Sequence, residues 1–175
     1  MFSTTHQKAS ITNFKPAKEM HGPEKRLVGD LKVTMSISNT VLEHLGKDLR
    51  TALYRKAETG EDPQADMLPL VPDGMTKLKN PTLKALAFDE KFPGYQASFP
   101  STLAVHEVIK LSDVTLAGFT VEAKDGGTVD LSFNMRFPVD GQYAGKLCQL
   151  IQEDIELTLV PPTADALQAD MDKAA

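Results

Sequence analysis

The chain has 175 residues, 41% hydrophobic and 25% charged, a composition suited to a soluble globular protein of one domain. Its single cysteine, Cys148, excludes an intrachain disulfide and a cysteine-cluster metal site. No apolar run approaches the roughly 20 residues of a membrane helix, and the first residues lack a signal-peptide core, so a cytoplasmic protein is expected. The net charge of −5 divides unevenly, with residues 1–57 carrying +5 and residues 58–175 carrying −10. A local basic face can bind phosphate on an acidic protein, although an uneven scatter of charges gives the same counts.

In chain order, residues 9–16 read as a short first strand, and His21-Gly22-Pro23 as a turn. From Arg26 to Ser38 the period is two. Leu27, Leu31, Val33, Met35 and Ile37 share one face; Arg26, Asp30, Lys32, Thr34 and Ser36 share the other. The period then changes. Val41, Leu42, Leu45, Leu49, Ala52 and Leu53 form a helical stripe, which predicts a helix over 40–57. A capping box, Thr40 to Glu43, opens it, and Glu43 and Lys47 sit at i,i+4 spacing. Prolines and glycines over 58–82 predict a long surface connection.

Strands are expected over 83–88 and 95–99, joined by a hairpin loop at 89–94, and over 103–109. Residues 114–123 and 128–137 form the clearest hairpin, closed by Lys124-Asp125-Gly126-Gly127, where glycine supplies positive φ. Val129, Leu131, Phe133, Met135 and Phe137 point inward; Asp130, Ser132, Asn134 and Arg136 point outward. Asp140 caps a helix with Tyr143, Leu147, Leu150 and Ile151 on its buried stripe. Ile155, Leu157 and Leu159 alternate in a last strand, and 163–175 is an acidic tail. The sum is a strand-dominated α+β domain over 1–162. It is either a mainly antiparallel sandwich or a partly open, OB-like barrel, with two amphipathic helices.

The helix at 40–57 offers the sharpest candidate surface. On a helical wheel Lys47, Arg50 and Tyr54 lie opposite the apolar stripe. Cations beside an aromatic ring suit single-stranded DNA, with phosphates on the cations and a base on the ring. Arg26 and Lys32 on the preceding strand extend the track. The alternative is that Tyr54 packs on Arg50 or beneath the neighbouring loop. Phe92 and Tyr95, near a hairpin tip, are a second stacking candidate, unless they fold back onto the sheet.

His6, His21, His44 and His106 lack zinc-site spacing. His106 beside Glu107 reads first as a surface or packed histidine. Glu58, Glu61, Asp62 and Asp66 read as a solvated acidic run. No Walker or GxGxxG pattern is present, and Cys148 has no nucleophile signature. No metal, cofactor or catalytic residue is therefore assigned, and the expectation is a protein that is not an enzyme.

Several segments together resemble a family of small proteins from tailed bacteriophages and prophages of Gram-negative bacteria. They are Ile11-Thr12-Asn13-Phe14 with His21-Gly22, Leu49-Arg50-Thr51-Ala52-Leu53-Tyr54, Gly126-Gly127-Thr128-Val129-Asp130-Leu131-Ser132-Phe133, and the stretch from Gly145-Lys146-Leu147-Cys148 to Glu156-Leu157. The resemblance implies phage origin and suggests a place in DNA replication or recombination. It carries over no functional residue. The expectation is a phage accessory protein binding single-stranded DNA in the host cytoplasm through Arg26, Lys32, Lys47, Arg50 and Tyr54. The alternative is a protein-interaction module, an inhibitor of host defence or an adaptor for replication or virion assembly, without nucleic-acid binding. Pairing of open strand edges in a homo-oligomer stays open.

Overall fold

Alternating apolar and polar residues bury one face of each long strand. In a computed structural model, which describes residues 2–58, 73–101 and 107–162, these strands dominate. They are β1 (Thr4–His21), β2 (Glu24–Ser38), β3 (Tyr54–Arg55), β4 (Lys77–Leu78), β5 (Leu86–Phe88), β6 (Phe92–Pro100), β7 (Val108–Lys124), β8 (Thr128–Pro138) and β9 (Asp154–Val160). The described helices are α1 (Leu42–Leu45), α2 (Leu49–Leu53) and α3 (Gly141–Gln149), with a 3-10 turn at Asn39–Val41. None is long and apolar enough to cross a membrane.

Six strands close into an antiparallel barrel in the order β7, β6, β9, β1, β2, β8, with β8 returning to β7. The barrel expectation is thus the one realised. Closure gives every barrel strand a neighbour on each side over part of its length, which removes the open edges of a flat sheet. The core is built by the inward alternation: Leu31, Val33 and Met35 from β2, Val114 and Leu116 from β7, Phe133, Met135 and Phe137 from β8, and Ile155, Leu157 and Leu159 from β9. Gly29 makes room in this core. A Cβ there would stand 2.6 Å from Phe14 Cε2, and Phe14 stacks on Phe137 with ring centroids 6.5 Å apart.

The described residues group into two compact units. The first draws on Met1–Met35, Asp89–Gly118 and Ser132–Ala175; the second on Ser36–Phe88 and Phe119–Leu131. In the first, β1 is longer than the sequence suggested. It passes Pro16 and pairs with β2 out to His21 opposite Glu24. The proline is tolerated because β9 pairs with β1 only over Thr4 to Ser10, so Pro16 sits where β1 has one partner. Asp140 caps α3 as expected, its carboxylate accepting the Tyr143 N–H at 2.8 Å.

The second unit departs most from expectation. The helix over 40–57 is broken. α1 stops at Leu45, Asp48 adopts a left-handed φ of 65°, and α2 ends before Tyr54 turns extended. The glycine at 46 weakens a helix interior, and the tertiary partners described below hold the broken form. The capping box is also absent. Ser38 Oγ accepts the Thr40 N–H, and Glu43 reaches Arg50 rather than the helix start.

Elsewhere β5 and β6 do not pair as a hairpin: β5 lies opposite Phe119–Val121 of β7, and β6 opposite its Val108–Leu116. Within the 58–82 connection, β4 pairs with β3, a ladder too short to show as alternation. Residues 59–72, the proposed start of the 103–109 strand, and the tail at 163–175 lie outside the described residues.

Candidate nucleic-acid interface

Two of the five residues expected to face DNA are buried. Arg50's side chain is 7% exposed. Its Nε donates to Asn39 Oδ1 at 2.9 Å, and its two terminal amines donate to Glu43 Oε1 and Asp73 Oδ1, each at 2.6 Å. All three sides of the guanidinium fork are thus occupied, which is the geometry in which arginine tolerates burial. Asn39 is itself fully buried and donates to the Met75 carbonyl at 2.7 Å.

Tyr54 is 0% exposed. Its hydroxyl lies 2.7 Å from the Thr128 carbonyl and 3.0 Å from the Lys124 carbonyl, and accepts the Lys124 N–H at 3.1 Å. Burial pushes its pKa up to about 12, the Lys124 backbone hydrogen bond pulls it down, and Asp125 raises it. The surrounding contacts show what both residues do. Asn39 N–H donates to Gly127 O, Gly126 N–H to Thr76 O, and Leu78 N–H to Asp125 Oδ1. The supposed binding face is the clamp that holds the β7–β8 turn. The wheel failed because the helix it assumed is broken ahead of Arg50.

Tyr95 is corrected as well. It is fully buried, and its hydroxyl donates to the Phe2 carbonyl at 3.1 Å. Phe92 is half-buried on β6, opposite Leu116. Lys47 remains exposed in the second unit. Glu107 is engaged by Lys146, and His106 lies outside the described residues. Among the described residues no three metal-ligating side chains converge.

A different cationic surface appears on the outer face of the first unit. There a groove of about 530 Å³ is lined by Asn13, Lys15, Asp30, Lys32, Lys91, Thr115, Ala117, Asn134 and Arg136. Alternation explains each. Phe14 and Leu31 point inward, so Asn13, Lys15, Asp30 and Lys32 point outward, and cross-strand pairing sets Asn13 beside Lys32 and Lys15 beside Asp30. Val114 and Leu116 are buried, so Thr115 and Ala117 face out; Met135 and its neighbours do the same for Asn134 and Arg136. Phe92 opposite Leu116 brings Lys91 alongside Ala117. Gly118, at φ +63°, permits Asn134 to come close, since a Cβ there would lie 2.9 Å from Asn134 Nδ2.

Four cations therefore face one carboxylate. The side-chain ammonium groups of Lys32 and Lys91 make no hydrogen bond or ion pair with any described residue, and that of Lys15 acts on Asp30 only through its charge. Arg136 is held by Glu19 and, at 3.2 Å, by Asp30. Burial raises the Asp30 carboxyl's pKa, and the Lys15 charge works against that rise.

A smaller recess of about 180 Å³ shares Thr115 and Arg136 with the groove and is lined also by Arg26, Glu19 and Met20. Lys32 and Arg26, both expected from sequence, thus line two adjoining depressions. Lys15, Lys91, Asn134 and Arg136 were not nominated. Alternation marks Arg136 as outward, but only the β2–β8 neighbour relation puts it beside Lys32.

Comparisons with protein-family models, with curated proteins and with solved structures found no match.

Proposed function

We propose that this groove binds single-stranded DNA, in a phage accessory protein acting in the host cytoplasm. The observation that carries the reading is the convergence of Lys15, Lys32 and Lys91, free of ion pairing within hydrogen-bond range among the described residues, with the amides of Asn13 and Asn134. Ammonium groups neutralise phosphates and release their counterions, and amide and hydroxyl donors fix the strand's register. The acidic remainder of the chain limits indiscriminate attraction. By analogy of fold, the outer face of small OB-type barrels is a surface on which oligonucleotides are bound.

Anisotropy titration of a labelled oligonucleotide tests this. With about three phosphates neutralised, the log–log salt slope is about −2, so affinity falls roughly 20-fold between 50 and 200 mM salt. Replacing Lys15, Lys32 and Lys91 together by Ala abolishes binding, while Lys47→Ala leaves it unchanged. No binding at low salt, or full affinity in the folded triple variant, refutes the proposal.

A further inference from the structure

The chain has no tryptophan, eight phenylalanines and three tyrosines, and all eleven of these rings lie within the described residues. None is exposed. Eight are buried, and Phe88, Phe92 and Tyr143 are half-buried and line neither depression. Phe137 is among the residues of the smaller recess but is 1% exposed. The arginine that could offer a flat stacking surface in the groove, Arg136, is tied to Glu19 and Asp30. What remains toward a ligand is ammonium, amide and hydroxyl groups.

Resting on the strand-binding reading above, we infer that the groove recognises its ligand through the phosphate chain alone and does not engage the bases. Proteins that hold single strands by stacking draw about 5- to 150-fold in affinity from each stacked base. That contribution has no exposed Phe, Tyr or Trp ring to act through here, and Arg136 is anchored through its N–H edges to Glu19 and Asp30. Binding is therefore indifferent to base sequence and to the presence of bases, and is governed by the spacing of phosphates against Lys15, Lys32 and Lys91.

The test compares three probes with the full chain at low salt: a mixed-sequence oligonucleotide, an abasic oligonucleotide of the same length, and inorganic polyphosphate as competitor. The inference expects the two oligonucleotides to bind within about threefold of each other, less than the weakest stacked base would contribute. It also expects polyphosphate to displace both, and the Lys15/Lys32/Lys91 triple-alanine variant to bind none. Tenfold or greater loss with the abasic probe overturns this inference and leaves strand binding standing. Failure of both oligonucleotides to bind overturns strand binding and this inference together.

Discussion

Arg50→Ala separates a structural arginine from a DNA-binding one. The substitution removes three hydrogen bonds at once. Glu43 and Asp73 have side chains 59% and 41% exposed, so each returns to water and the lost pairs cost little, about 0–1 kcal/mol apiece. Asn39 cannot do so. It is fully buried, and its Oδ1 loses its partner, which costs about 1–3 kcal/mol. Together these give about 1–5 kcal/mol, reaching below the 3–5 typical of a broken buried pair because the stranded carboxylates hydrate. Urea denaturation followed by circular dichroism measures it, and the melting temperature falls by about 2–20 °C. In an Asn39→Ala background the cost of Arg50→Ala shrinks by about 1 kcal/mol, because the acceptor is already gone. Oligonucleotide affinity of the folded Arg50→Ala protein is unchanged. A destabilisation under about 1 kcal/mol, or lost affinity at unchanged stability, refutes this assignment.

Tyr54→Phe leaves the Lys124 N–H without its acceptor and costs about 1–3 kcal/mol at neutral pH. Because the folded hydroxyl titrates at about 12 rather than 10.0, its contribution is complete below pH 10 and declines as the pH rises toward 12, by an amount on the order of 2–3 kcal/mol. Denaturation midpoints measured from pH 9 to 12 should fall less steeply in Tyr54→Phe than in the parent. Asp30→Asn removes the groove's one carboxylate and tightens oligonucleotide binding by up to about fivefold at low salt. Since burial raises the Asp30 pKa, the parent's affinity climbs as the pH falls from 7 toward that value, whereas Asp30→Asn shows a flatter profile. Glu19→Gln, which loosens Arg136 from its other side, serves as the control for the Arg136 contribution.

The barrel was legible because its strands alternate over many residues. Leu31, Val33, Met35 and Phe133, Met135, Phe137 each announce an inward face, and the Gly126-Gly127 turn announces β7–β8 pairing. The closing neighbours were not legible. Nothing local in β2 or β8 says that they lie side by side, yet that contact brings Asp30 to Arg136 and assembles the groove. The region from Asn39 to Leu53 misled for a related reason. Its apolar spacing is helical whether or not the helix is continuous, and the pull of Asn39, Glu43 and Asp73 on Arg50 acts across the fold. Arg50 and Tyr54 read as a cation and a ring on a polar face, whereas their donors and acceptors were wanted inside. Of the expected DNA track, Lys32 and Arg26 line the outer depressions because their strand register was right.

Lysine acetylation footprinting of the full chain, with and without a saturating oligonucleotide, tests most directly where a strand binds. If DNA lies in the groove, Lys15, Lys32 and Lys91 are protected together at low salt, the protection disappears at high salt, and Lys47 and Lys56 react equally in both states. Protection of Lys47 or Lys56 with Lys15, Lys32 and Lys91 still reactive would contradict it.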